Sequence, residues 1–157
     1  MRRRRRARSA AAALPPRPVK LVGVKDFDPF GGDGEHAEAV HNAIDANPST
    51  FWLTQTYDSG DLGKPGVGLY VTAAQPVAAR QLVVSSTTSG FKASVYGSNG
   101  IPKGIAGWGR PLRSFTGSAR AVVNLNLHQT YRSYLIWITK LPPGQGLAKI
   151  STVEVLR

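Results

Sequence analysis

Hydrophobic and polar residues alternate along several short segments of this chain, a pattern typical of β-strands. Turns rich in glycine and proline separate these segments. One continuous apolar run, residues 134–139, suits a buried central strand instead. We therefore predict strands over residues 19–24, 67–71, 79–85, 92–96, 121–127, 134–139 and 149–156. Strands at this spacing favour an all-β fold, an antiparallel β-sandwich.

Two neighbouring segments lie outside the strand pattern. Residues 26–35 combine aspartate, proline and glycine, which is the chemistry of turns. Residues 36–46 place apolar side chains such as Ala37, Val40 and Ile44 at helical spacing. The chain therefore contains at most one short helix, of about three turns.

The composition fits one ordinary domain. The chain has 157 residues and 41% hydrophobic residues, enough to bury a core. It has no cysteine, which excludes a disulfide framework and a thiolate metal site. No run of about 18 apolar residues occurs, so we predict no transmembrane segment.

The positive charge is concentrated at the start of the chain. The formal net charge is +11, and residues 2–6, Arg8 and Arg17 supply seven of the positive charges. The apolar run at residues 10–14 is shorter than the roughly 7–15 residues of a signal-peptide core, and prolines follow it. We predict a disordered basic tail over residues 1–18 and a folded domain over residues 19–157.

This tail has an alternative interpretation as an electrostatic anchor for nucleic acid or anionic lipid. The rest of the chain carries a net charge of only +4 and no recognisable nucleic-acid motif. We therefore expect no nucleic-acid binding beyond nonspecific contacts of the tail, which would weaken steeply with salt.

Residues 45–52 place oxygen-bearing side chains on a proline-bent loop, where they can converge on one hard cation. Trp52 then returns the chain to the core, and Trp137 in the apolar run is also predicted to be a core residue. Glu154 is the only acidic residue after Asp61. In a strand, its side chain would point to the face of the sheet opposite to that of its two valine neighbours.

The run at residues 43–52 resembles the A-x-D-G-x-x-x-T-x-W signature of discoidin domains, also called F5/8 type C or galactose-binding-like domains. This family includes a large class of carbohydrate-binding modules. The resemblance covers nearly everything after Val19 and implies an eight-stranded jelly-roll sandwich. A narrower set of segments looks like the extracellular C-terminal module of actinobacterial membrane proteins, such as Ser/Thr kinases and lipid II flippase homologues. It implies an extracellular or cell-surface location.

The resemblance also implies one structural calcium ion. In the family this ion often lies under the Asp-Gly loop, and its ligands map onto Asp45, Asn47, Thr50 and Glu154. Ala46 stands where the family prefers glycine, and a positive φ angle is costly for alanine. The alternative interpretation is that Asp45 and Thr50 cap turns and that Glu154 pairs with an arginine.

Candidate ligand-binding residues lie on the predicted loops. Carbohydrate binders of the family often use a histidine, an arginine and an acid at one end of the sandwich, for which Glu35, His36 and Arg110 are the nearest candidates. Trp108 lies in the glycine-rich segment 104–111. Its ring either stacks on a sugar or another surface, or folds back on its own loop.

No catalytic motif is present. The three histidines are scattered, and neither G-x-S-x-G nor H-E-x-x-H occurs. We predict a non-catalytic binding module for carbohydrate or cell-wall glycan, or another cell-surface ligand, at the cell exterior. The alternative is a protein-interaction or regulatory module derived from a larger membrane protein.

Overall fold

The structure is a computed structural model that describes residues 14–32 and 34–157. All of its regular elements in these residues are strands or short 3₁₀-helices, the latter at Ala37–Ala43 and Ile105–Trp108. The strands are β1 (Leu21–Phe27), β2 (Trp52–Leu53), β3 (Val67–Val77), β4 (Gln81–Ser85), β5 (Lys92–Ser98), β6 (Arg113–Thr116), β7 (Ala121–Asn124), β8 (Tyr131–Lys140), β9 (Lys149–Ile150) and β10 (Thr152–Leu156).

The strands form an antiparallel sandwich. One sheet has the order β1-β3-β8-β5-β6, and the facing sheet has the order β10-β4-β7. The short pair β2-β9 forms a third sheet. This architecture confirms the predicted all-β jelly-roll sandwich.

The main core lies between the two larger sheets. Val71 on β3, Leu82 on β4 and Val155 on β10 contribute to it, and alternate residues of each strand point the other way. Strand β8 is buried on both faces, since Ile136 belongs to the main core and Trp137 to a second cluster. Coverage of both faces explains the continuous apolar run of this strand.

The second cluster lies on the outer face of the five-stranded sheet. It consists of the buried side chains of Phe27, Tyr70, Trp108, Leu135 and Trp137. The ring centroid of Trp108 lies 5.9 Å from that of Phe27 and 5.8 Å from that of Tyr70. Each aromatic pair of this kind contributes about 0.5–1.5 kcal/mol beyond its buried area. The 3₁₀-helix at Ile105–Trp108 therefore covers this part of the sheet.

Several element boundaries differ from the predictions. The segment predicted as a helix over residues 36–46 is a 3₁₀-helix over Ala37–Ala43. The predicted last strand is interrupted at Ser151, whose N–H donates to the carbonyl of Ser85 at 2.8 Å. Strands β2 and β6 were not predicted, because two and four residues are too few to show a clear alternation.

Backbone hydrogen bonds with the folded domain begin at Arg17, two residues before the predicted domain boundary at Val19. The N–H of Arg17 donates to the carbonyl of Arg157 at 3.0 Å, and the reverse bond measures 2.9 Å. The N–H of Val19 donates to Val155 at 2.8 Å. Residues 1–13 of the predicted tail lie outside the described residues. No helix among the residues that the structure describes has the length and apolarity needed to cross a membrane.

Candidate functional site

A tight turn after β1 exposes an aromatic ring. The N–H of Gly31 donates to the carbonyl of Asp28 at 3.3 Å, and Pro29 occupies the second position, where its fixed φ suits a turn. Phe30 follows and is 52% exposed. Its ring centroid lies 6.4 Å from that of Trp137 on the sheet, so one side of the ring is supported.

Beside this turn, Glu35 is a fully buried carboxylate, with 0% exposure. Its oxygens accept hydrogen bonds from the Tyr57 hydroxyl and the Gln55 backbone N–H, and from Lys64 Nζ at 3.2 Å. Its backbone carbonyl accepts a 2.7 Å bond from the indole N–H of Trp52. Partners on every side make the burial of this charge tolerable.

Lys64 joins Glu35 to a second carboxylate. Its ammonium also donates to Asp28 Oδ1 at 2.9 Å. Burial alone would lower the pKa of Lys64, but its interactions with Asp28, Tyr57 and Glu35 raise that pKa above its ordinary value. Burial and the hydrogen bond to Glu35 raise the pKa of Tyr57 to about 12. At neutral pH the lysine is therefore charged and the phenol protonated.

These side chains line an open groove of about 310 Å³. Its donors and acceptors are an ammonium, a phenol, a carboxamide and carboxylates, and glycines leave the backbone accessible on one side. Such a surface can hydrogen-bond several hydroxyl groups at once. The lining residues are Asp28, Gly31, Gly32, Gly34, Glu35, Gln55, Tyr57 and Lys64.

The predicted ligand residues occupy different surroundings. Glu35 lies in the wall of the groove, and the adjacent His36 has a positive φ of 51° and pairs through Nδ1 with Glu38 at 2.7 Å. Trp108 is only 3% exposed, so its ring is folded back against the sheet, the second of its two interpretations. Arg110 is exposed in the loop before β6. Ligand contact by these residues stays a prediction.

The loop at residues 45–50 is held by its own hydrogen bonds. Asp45 accepts from the Asn47 N–H at 2.9 Å and from the Thr50 hydroxyl at 2.5 Å. These bonds, that of Thr50 first, lower the pKa of Asp45. Asn47 in turn accepts from the Ser49 N–H at 2.9 Å. Ala46 has a φ of 58°, so the loop keeps the left-handed conformation for which glycine is preferred.

Glu154 is exposed on β10 and lines, together with Ala46, a groove of about 270 Å³. The four predicted metal ligands are all oxygen donors, which suits Ca²⁺. Each oxygen of Asp45 receives one of the bonds above and keeps lone-pair capacity for a cation. Within residues 14–32 and 34–157, no group of three or more His, Asp or Glu side chains is arranged to hold a metal ion.

No protein-family model and no curated protein matches the sequence. Solved structures do match. A truncated AlyQ with CBM32 and alginate lyase domains superposes with a TM-score of 0.66 at 15% identity, over 90% of this chain and 33% of that chain. The CBM32 of AlyQ in complex with 4,5-unsaturated mannuronic acid superposes with a TM-score of 0.63 at 16% identity, over 88% of this chain and 97% of that chain. The chain shares the jelly-roll β-sandwich fold of these structures.

Two further carbohydrate-binding modules share this jelly-roll fold. The family 32 module of Clostridium perfringens NanJ in complex with galactose matches with a TM-score of 0.61 at 17% identity, over 86% of this chain and 93% of that chain. A pectin-binding carbohydrate-binding module matches with a TM-score of 0.63 at 12% identity, over 87% of this chain and 91% of that chain. The chain spans about one third of the truncated AlyQ. At these identities the similarity concerns the fold.

The sequence alone did not reveal the side chains that surround Glu35. Asp28 follows β1, whereas Tyr57 and Lys64 lie in the loop between β2 and β3, and nothing local in the sequence pairs these loops. Phe30 carried a usable signal, since a large aromatic residue between proline and two glycines in a turn cannot easily reach a core. In the sequence, the acid-rich segment at residues 26–35 shows the chemistry of a turn and contains one candidate ligand residue, Glu35.

Proposed function

We propose that this chain is a non-catalytic carbohydrate-binding module whose ligand site is the groove beside Phe30. The observation that carries the proposal is an exposed, supported aromatic ring next to a groove lined by Asp28, Tyr57 and Lys64. Sugars combine an apolar ring face with a rim of hydroxyl groups, and this arrangement complements both.

The polar groups have capacity left for a ligand. The Lys64 ammonium has three donors, of which Asp28 and Glu35 take two. The Tyr57 oxygen donates to Glu35 and can still accept a hydroxyl hydrogen. Glu35 itself is buried beneath these side chains, so its role is to orient them and not to stack against the sugar.

The structural comparisons support a saccharide as the ligand class. The similar modules were solved with galactose or with 4,5-unsaturated mannuronic acid, or are described as pectin-binding. A cell-exterior location, and an origin in an actinobacterial membrane protein that would act on cell-wall glycan, rest on the sequence resemblance alone and are part of the proposal.

The test is a glycan-binding screen followed by calorimetry on the full chain and on Phe30→Ala. We expect at least a tenfold loss of affinity for the best glycan, about 1.4 kcal/mol. The matched control is Val22→Ala, another exposed apolar residue, on β1. Both variants should unfold within about 0.5 kcal/mol of the parent, because both side chains are exposed.

Asp28→Asn provides a second test of the same groove. It keeps the shape of the side chain but removes the charge that Lys64 contacts, so we expect weaker glycan binding. His36→Ala and Arg110→Ala in the same assay decide whether those two residues belong to the site. Parent-like affinity in Phe30→Ala and Asp28→Asn would contradict the groove as the site. Silence toward all neutral, acidic and peptidoglycan-derived glycans would favour the protein-interaction alternative.

We also propose that Asp45, Asn47, Thr50 and Glu154 hold one structural Ca²⁺. The ion would tie the loop at residues 45–50 to the last strand. Because an ion bound only by the folded state raises stability, the melting midpoint should rise with added Ca²⁺ and fall with a chelator. The control is Glu154→Gln, in which this shift should shrink. An unchanged midpoint in the parent would contradict the site.

A further inference from the structure

Three arginines lie next to one another at one end of the smaller sheet, just beyond the ends of β4 and β10 and of the segment that pairs with β10. Arg17 and Arg157 exchange two backbone hydrogen bonds, of 3.0 and 2.9 Å. Strand β10 pairs with β4 in the register Leu156↔Gln81, and the N–H of Arg80 donates to Leu156 at 2.8 Å. Arg80 directly precedes β4, and this hydrogen bond places it at the end of β10, next to Arg157. The order across the strands is therefore Arg17, Arg157, Arg80.

The three side chains share one surface. Residues opposite each other in an antiparallel ladder point to the same face. All three arginines line one cavity of about 370 Å³, together with Leu14 and Pro15. Strands are about 4.8 Å apart, so the row extends over about 10 Å. Arg80 is anchored there because its guanidinium donates to the carbonyl of Leu14.

This row is not neutralised by acidic side chains. None lines the cavity, and the ion pairs formed among residues 14–32 and 34–157 involve only Lys64 and His36 as the basic partners. Like charges placed opposite each other on a sheet are destabilising. A row that keeps this cost without an internal counterion has the properties of an anion-binding site.

We propose that Arg17, Arg157 and Arg80 bind the acidic groups of an anionic polysaccharide, at a site separate from the groove beside Phe30. The planar guanidinium fork matches carboxylate and sulfate oxygens in pairs, which an ammonium does not. A row about 10 Å long contacts successive acidic groups of a chain better than one small anion. Six further arginines, at positions 2–6 and 8, precede Arg17 in the sequence and add to the attraction for a polyanion.

The residues that line this cavity favour a polysaccharide over nucleic acid as the ligand. Among the residues that the structure describes, Leu14 and Pro15 are the uncharged residues of the lining, and no aromatic ring is present there on which a base could stack. The choice of a polysaccharide among polyanions rests on the proposed function. The site itself rests on the arginine row.

The test uses the full chain with polygalacturonate as the polyuronate and heparin as the sulfated polysaccharide. The first variant is Arg17→Gln/Arg157→Gln, in which both side chains are exposed. Its matched control is Arg113→Gln/Arg120→Gln, which removes the same charge from exposed positions outside the row. We expect the row variant to bind at least tenfold more weakly and the control to stay within threefold. The logarithm of the binding constant decreases linearly with the logarithm of the salt concentration, and this decrease should be shallower by roughly 1–2 in the row variant.

A third variant, Arg17→Lys/Arg157→Lys, keeps the charge and removes the guanidinium forks. Several-fold weaker binding in this variant supports a built site. Equal losses in the row variant and the control would overturn the proposal, because net charge alone would then explain binding. Tighter binding of duplex DNA with the same dependence on the row would also overturn it.

The two proposals fail separately. Binding of a neutral glycan depends on Phe30 and should be unchanged in the row variants. If no neutral glycan binds while polygalacturonate binding still depends on the row, only the groove proposal fails. Melting curves of all variants verify folding, and we expect Arg17→Gln/Arg157→Gln to melt at or above the parent midpoint, because it relieves repulsion.

Discussion

Ala46 carries backbone strain, because it has a positive φ angle. Its φ of 58° costs a residue with a Cβ atom roughly 1–2 kcal/mol. The hydrogen bonds of Asp45 with Asn47 and Thr50 hold the loop in this conformation. The resemblance to a family that prefers glycine here identified the position, and the structure shows that alanine adopts the same backbone region.

Replacing Ala46 with glycine should therefore stabilise the domain. We expect Ala46→Gly to raise the free energy of unfolding by about 1 kcal/mol, since relief of the strain exceeds the backbone entropy that glycine adds. Urea unfolding measures the change. Ala119→Gly is the control, because Ala119 is exposed in a turn without a positive φ. A gain in the control equal to that of Ala46→Gly would contradict the strain argument.

At the scale of the elements, the packing of the 3₁₀-helix at Ile105–Trp108 shows a structural role that the sequence did not predict. It covers the outer face of the five-stranded sheet through Trp108, whose side chain contacts Phe27 and Tyr70. The glycine-rich segment 104–111 indicated an adaptable loop but left the direction of the ring open. Rings on three different elements decided it, since together they offer an apolar surface.

Truncation of Trp108 should destabilise the domain and leave the groove intact. We expect Trp108→Ala to cost about 3–5 kcal/mol of unfolding free energy. Trp108→Phe should cost much less, because among the described residues the buried indole N–H has no protein partner to lose. Calorimetry should show parent-like glycan affinity for Trp108→Phe. A large loss of affinity without loss of stability would favour stacking on a sugar.

At the scale of the whole molecule, one buried and one partly buried phenol make the stability depend on pH in the alkaline range. Tyr57 touches Glu35, and Tyr134 lies in the main core and donates to the Val77 carbonyl at 2.5 Å. Burial is the first cause that raises the pKa of each to about 12. Their unfolded value is about 10. The folded state therefore binds more protons than the unfolded state between pH 10 and 12.

Because the folded pKa values are raised, this contribution to stability is complete below pH 10 and is lost as the pH rises through 12. We expect the urea midpoint to fall across this window. Tyr57→Phe should make that fall shallower, since its phenol no longer titrates. The control is Tyr96→Phe, a partly buried tyrosine beside the outer cluster. An equal slope in the parent and Tyr57→Phe would contradict the role of the Glu35–Tyr57 bond.

The alternation of residues determined the fold class of this protein without help from the structure. A period of two is a local property, so strands β3, β4, β5, β7 and β8 could be predicted near their observed positions. The apolar run of β8 also indicated a strand buried on both faces. The motif at residues 43–52 added the jelly-roll and the oxygen-rich loop.

Tertiary structure alone decided which side chains share a site. Glu35 meets Tyr57 and Lys64, and Arg17 meets Arg157 and Arg80, only through loops and strand registers that join distant parts of the chain. Such pairings depend on which strands become neighbours, and no local pattern encodes that choice. The physical reason is the range of the interaction. Alternation acts between adjacent residues, whereas burial of a charge depends on partners that folding brings from elsewhere.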